Sequence, residues 1–205
     1  FGRFVNMQIR LCQNTVLIAL SRDFEMRYNQ AVKALILAAG QSKRMAPLAD
    51  KNFLNILGKP LIQRQFEQLV KNGFHDVLVV GGRHNLAELR RVLPGASKIV
   101  EQKNLDDGMA GAVMVAEKWL ADSPFLMMSS NDIVEDEAFD LLHASKISAL
   151  LAKKVTSYFP GGYLKIRQKM VSGIVEKPGA GKEPSDLVNI VAHLHREPKK
   201  LFAAL

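Results

Sequence analysis

From Val32 onward, short apolar runs rich in β-formers alternate with longer stretches whose apolar residues recur at helical spacing, and few architectures accept that alternation. It is the pattern of βαβ units wound around a mostly parallel sheet. The strand candidates are 32–37, 75–80, 98–102 and 125–129. Between them, 61–72 places Ile62, Phe66, Leu69 and Val70 on one helical face with Gly73 as its stop, and 109–120 does the same with Val113, Ala116 and Leu120. After Asp132 the style changes. A helix over 135–143 gives way to an apolar stretch at 150–158, then to GGYLKIR and KMVSGIVEK, which read as antiparallel strands joined near Gln168 and Lys169. A last strand at 188–195 and a helix opened by EPKKLFAAL complete the pattern.

At 205 residues and 48% apolar, the chain has material for one sizeable α/β core. Met26 opens MRYNQAVKALILAAG in the manner of a natural start, so 1–30 reads as an N-terminal extension, expected to be poorly ordered or loosely docked, ahead of one domain over 31–205. The run VLIAL at 16–20 is shorter than a signal-peptide core, which needs roughly 7 to 15 residues. No apolar run approaches the roughly 20 residues of a membrane helix. Cys12, the single cysteine, excludes an internal disulfide and a cysteine-based zinc cage, as suits a cytoplasmic protein. The net charge of +8 suits polyphosphate ligands or a plain solvated basic surface. Without interleaved aromatic and basic residues it gives no case for nucleic acid. Oligomeric state is not legible, a homo-oligomer included.

The segment LAAGQSKRM, 37–45, follows directly on the first strand. Small residues there let backbone N–H groups approach phosphate oxygens, and Arg44 adds a guanidinium able to hold phosphate with two parallel hydrogen bonds. The same residues also suit a glycine turn after a buried strand. It is neither a Walker loop nor a dinucleotide fingerprint. LMMSSNDIV, 126–134, is an apolar strand ending in Asp132, a carboxylate placed at the sheet's carboxyl edge where open α/β folds bind ligands. It suits a Mg²⁺ ligand or the N-cap of the next helix. His193 and His195 alternate on one strand face without a third ligand and read as structural.

LAAGQSKRMAPLADKNFLNILGKPLI resembles the signature of the nucleotidyltransferase superfamily, LAxGxGxRLxPL followed by PKxLxxVxGKPxI, in its sugar-1-phosphate nucleotidylyltransferase branch. Aligned through Gly58, Lys59, Pro60 and Ile62, the lysine of the PK pair falls on Lys51, its proline on Asp50 and the second glycine of GxGxR on Ser42. The serine is similar to the LAAGxSxRM variant of the molybdenum-cofactor nucleotidyltransferases. The resemblance implies a Rossmann-like three-layer α/β fold with a mixed, mostly parallel central sheet. It implies nucleotide binding by Leu37, Ala38, Ala39 and Gly40, with Gln102 and Gly108 at the base, and catalytic roles for Arg44 and Lys51. Asp132, preceded by Asn131 in place of the family's glycine, would hold Mg²⁺. GIVEKPG with its flanks resembles the acceptor segments of the same branch, which implies Gly162, Glu176, Lys177 and Asn189 at the acceptor, with Val191 standing where that pattern has glycine.

The implied reaction moves a nucleoside monophosphate from an NTP to a sugar 1-phosphate, with NTP and a phosphorylated small molecule as partners. Cytidylyl transfer to phosphocholine or a similar phospho-alcohol and a non-catalytic nucleotide-binding subunit are the alternatives. In that family a second metal-binding aspartate lies downstream of the strand matching 188–195, so the domain is expected to be cut short at its C-terminal end.

Overall fold

In the computed structural model the described residues are 11–12, 15–19, 31–42, 50–95, 97–168 and 170–205. The described residues form two compact units, those of 29–134 with 195–205 and those of 1–28 with 135–194.

The first of these is built on four parallel strands. β3 (Lys33–Leu37) lies between β6 (Val77–Gly82) and β8 (Phe125–Ser129), and β7 (Lys98–Gln102) flanks β6, giving the order β8-β3-β6-β7. Pairing is in register from Ala34 with Val77 and from Lys33 with Phe125. β6 is buried over its whole length, as a strand covered on both faces must be, so its sequence is continuously small or apolar rather than alternating. A two-strand hairpin, β4 (Asn55–Ile56) and β5 (Lys59–Pro60), leads into α1 (Leu61–Lys71); α1 and α2 (Leu86–Val92) pack on β6, and α3 (Gly108–Met114) packs on β3. α1 stops as expected: Gly73 has φ 86°, its N–H reaches Val70 O at 3.1 Å, and Phe74 N–H reaches Leu69 O at 2.9 Å. The single helix expected over 109–120 is two, α3 and α4 (Glu117–Leu120), because the backbone tightens at Ala116, whose N–H bonds Val113 O. α6 (Pro198–Ala204) seats Phe202 on Phe125, ring centroids 6.2 Å apart.

The other unit is antiparallel. β2 (Thr15–Ala19) pairs with β9 (Ala149–Lys154), β9 with β12 (Leu187–His195), and the hairpin β10 (Gly162–Arg167) and β11 (Met170–Glu176) joins β12 through Tyr163 and Val188. A short β1 (Leu11–Cys12) edges β2. Strand β2 lies inside the stretch read as an extension; Val16 and Ile18 are buried with Leu150, Ala152 and Leu164. α5 (Asp136–Ala144) packs on β2 and β9. Parallel in one unit and antiparallel in the other, the chain has the mixed α/β character and parallel core expected. Among the described residues no helix is long and apolar enough to cross a membrane.

Candidate functional site

The chain leaves β3 toward β6 on one side and later returns to β8 on the other, so the order reverses beside β3. At such a point the loops after the two adjacent strands part and leave a crevice at their carboxyl ends. A cavity of about 410 Å³ lies there. Leu37 lines it from the end of β3 and Ala39, Gly40 and Ser42 from the turn that follows, Gln102 and Gly108 from the end of β7 and the start of α3, Ser129 and Ser130 from the end of β8, and Lys51 from a 3₁₀ turn, Lys51–Phe53. Six of the residues singled out in the sequence, Leu37, Ala39, Gly40, Lys51, Gln102 and Gly108, thus share one wall. Ala38 does not line it; it is buried, with its N–H on Val80 O at 2.8 Å. Asp132 is half-buried two residues beyond the lining Ser130, and its carbonyl accepts from Gln65 Nε2. The N-cap of α5 is Glu135, not Asp132. Arg44 lies outside the described residues.

Local chemistry explains the shape of the wall. A Cβ built on Gly40 would meet no atom of the described residues within 4 Å, so none of them demands a glycine there. Ser42 sits at φ 53°, the left-handed region that glycine adopts most easily, which is where the resembled signature has glycine. The Ser42 hydroxyl donates to Asp50 Oδ1 at 3.1 Å and accepts from Lys51 N–H at 3.2 Å. Ser42 and Asp50, which stand where the signature has glycine and proline, are therefore bonded to each other. Asn52, fully buried, donates to Ala38 O at 3.0 Å and accepts from the Ser130 hydroxyl, tying the turn to the end of β8. Gln102 is buried, and its amide donates to Asn104 O at 3.0 Å and Gly108 O at 2.8 Å. Two carbonyl partners fix that amide's orientation, so the carbonyl oxygen is the group it has left. The ammonium of Lys51 has no hydrogen-bond or ion-pair partner among the described residues.

In the antiparallel unit the four other residues singled out also come together. Gly162 pairs with Glu176 in register, and a Cβ on Gly162 would stand 3.1 Å from Glu176 Oε2 and 3.9 Å from Asn189 Cβ. Lys177 follows at φ 44°, with its N–H on Gly161 O at 3.0 Å and its ammonium 3.9 Å from Glu176 Oε1. His193 Nε2 is 2.8 Å from Asn189 Oδ1, and burial pushes the His193 imidazole down to about 4, partly opposed by its hydrogen bond to the backbone of Ile190. Among the described residues there is no cluster of three or more His, Cys, Asp or Glu side chains suited to hold a metal.

A parallel sheet with a small-residue turn, a lysine and a buried glutamine around one crevice at its carboxyl edge defines an open α/β domain with a ligand cleft. The chain belongs to the family of MobA-like NTP transferase domains, whose model matches residues 34–146. It is 32% identical over 162 residues to a bifunctional sugar-1-phosphate nucleotidylyltransferase/acetyltransferase of Sulfurisphaera tokodaii, covering 77% of this chain and 39% of that protein. It is 28% identical over 210 residues to a UTP–glucose-1-phosphate uridylyltransferase of Streptococcus pyogenes, covering 79% of this chain and 68% of that one. Among solved structures, a UDP-glucose pyrophosphorylase from Acinetobacter baumanii superposes with TM-score 0.68 at 19% identity, over 86% of this chain and 77% of that chain, a likeness of fold.

Proposed function

We propose that the chain transfers a nucleoside monophosphate from an NTP to a sugar 1-phosphate, releasing pyrophosphate. The observation that carries the reading is the cavity beside β3, where a lysine ammonium without a partner among the described residues, an open glycine backbone and the anchored Gln102 line one wall. An oxygen of the acceptor phosphate attacks the α-phosphorus, the bond from that phosphorus to the bridging oxygen breaks, and the electron pair leaves with pyrophosphate. A phosphate anion is already nucleophilic, so no general base is needed, and the protein's task is positioning and charge neutralisation. Lys51 meets the charge that grows on the α-phosphate, and Arg44 holds the leaving phosphates with its planar fork. The turn 37–40 and Gly108 let backbone approach the nucleotide, with the Gln102 carbonyl oxygen toward the base. Glu176 accepts from acceptor hydroxyls, and Lys177 takes the acceptor phosphate, with Gly162 and Asn189 beside them.

Members of this family typically use Mg²⁺. A single carboxylate two residues beyond the cavity-lining Ser130 is compatible with that ion, since Mg²⁺ takes one or two carboxylates and fills its shell with water and substrate phosphate. Asp132 would hold it, and the bound ion would neutralise phosphate charge.

The test is pyrophosphate release from each NTP with glucose 1-phosphate, mannose 1-phosphate or phosphocholine, with and without Mg²⁺. Turnover with a sugar 1-phosphate, lost in Lys51→Ala and Asp132→Ala, is the expected result. Response to phosphocholine and CTP alone would replace the acceptor, and no release under any condition would remove the enzymatic reading.

A further inference from the structure

Asn85 is a buried polar residue in the position just before α2, where an asparagine ordinarily turns its side chain onto the first N–H groups of the helix. Here it makes no such bond. Its Oδ1 accepts from Gly82 N–H at 3.0 Å, and its Nδ2 donates to Ala38 O and to Asp50 Oδ2, both at 2.8 Å. The side chain has given up local capping to join the end of β6, the turn after β3 and the residue before Lys51. Gly81 makes room for this, because a Cβ there would come within 3.0 Å of Asn85 Oδ1 and 2.4 Å of Leu89 Cδ1.

Asp50 is the reason such a device is needed. It puts a carboxylate, only 13% exposed, directly beside a lysine that must stay available to phosphate. Both of its oxygens are held: Oδ1 takes the Ser42 hydroxyl and Asn52 N–H, each at 3.1 Å, while Oδ2 takes Asn85 Nδ2 and lies 3.7 Å from His84 Nε2. None of these partners is the Lys51 ammonium. A carboxylate released from its donors next to this cavity would compete for that ammonium and repel a polyphosphate.

We propose that Asn85 is a positioning residue that keeps the Asp50 carboxylate occupied and turned aside, so that Lys51 remains free for the phosphates of the nucleotide. The inference rests on the reading that the cavity binds a magnesium polyphosphate. It makes a specific demand: damage done by removing Asn85 must be undone by removing the charge of Asp50. A role in folding alone would make no such demand, since two lesions in one network would both cost stability.

Magnesium pyrophosphate is the probe, because it reads the phosphate site whatever the base. Its dissociation constant is measured by calorimetry for the parent chain, Asn85→Ala, Asp50→Asn and the double variant, with thermal midpoints alongside. Asn85→Ser, which keeps a hydroxyl for Gly82 N–H, serves if the alanine variant does not fold. The expected result is a loss of about tenfold or more in Asn85→Ala, the scale of a lost hydrogen bond to a charged group, and recovery in the double variant to within about threefold of Asp50→Asn, while its thermal midpoint stays low. Unchanged affinity in Asn85→Ala and Asn85→Ser, or a loss that Asp50→Asn does not repair, overturns the proposal and leaves the nucleotide site standing. A parent chain that binds neither magnesium pyrophosphate nor any NTP overturns both.

Discussion

At Gly40 packing and ligand approach make different demands. Its backbone is not in the left-handed region and a Cβ would touch none of the described residues, so alanine fits beside them and removes freedom from the unfolded chain. Gly40→Ala is therefore expected to leave stability unchanged or raised by up to about 1 kcal/mol by denaturant unfolding. If the nucleotide phosphates approach this backbone, the same methyl weakens NTP binding about tenfold or more, the cost of losing a charge-assisted contact. Equal affinity in the two proteins would move the phosphates elsewhere. His193 gives a second test at this scale. Burial holds its folded pKa at about 4, against an ordinary 6.5, so between those values the unfolded chain binds more protons. Stability from this group is full above about pH 6.5 and is lost as pH falls toward 4, roughly 3 kcal/mol in all. Thermal midpoints of His193→Gln should decline less steeply than the parent's across that window.

Among the elements, what the sequence made legible was whatever depended on near neighbours. β7 and β8 match their expected limits because a short β-rich run between turn signals carries its own identity, and α1 with its glycine stop is a local pattern of side chains. α2 escaped notice since Leu86 and Leu89 give too short a window for a helical period, and β2 became legible only through its partner β9. The same division runs through the site. Lys51, Gly40, Gln102 and Gly108 stand in recognisable motifs, whereas Asn52, Asn85 and Ser130 matter through bonds to Ala38 and to each other across 14, 47 and 78 positions, which no local spacing records. α1 adds another such tie. Gln65 donates to the Asp132 carbonyl and Gln68 to Val134 O, so this helix sets the path of the chain around Asp132, while Gln65 Oε1 is buried with no partner among the described residues. Gln65→Leu removes a useful bond and an unsatisfied oxygen together, so stability should change by no more than about 1 kcal/mol. The Mg²⁺ concentration for half-maximal turnover should nevertheless rise severalfold as Asp132 loses its anchor. An unchanged metal requirement would show that α1 does not govern that residue's function.

For the whole molecule, the proposed function assigns different ligands to the two units, a division that kinetics can resolve. Lys51, Gln102 and the turn after β3 belong to the parallel unit, and Gly162, Glu176, Lys177 and Asn189 to the antiparallel one. If the first holds the nucleotide and the second the acceptor, substitutions separate by ligand. Glu176→Gln and Lys177→Ala should raise KM for the sugar 1-phosphate about tenfold each, from one lost charged contact, with the affinity for magnesium NTP unchanged. Lys51→Ala should instead lower kcat/KM for NTP by about a hundredfold or more while barely altering acceptor KM, because its contact strengthens as charge develops on the α-phosphate. Both residues on the acceptor side are exposed and sit at a strand end, so their loss should move the thermal midpoint little. The two patterns are measured by varying one substrate at saturation of the other. Acceptor-side variants that weaken NTP binding as strongly as acceptor binding would refute the division of labour, since one unit would then be serving both ligands.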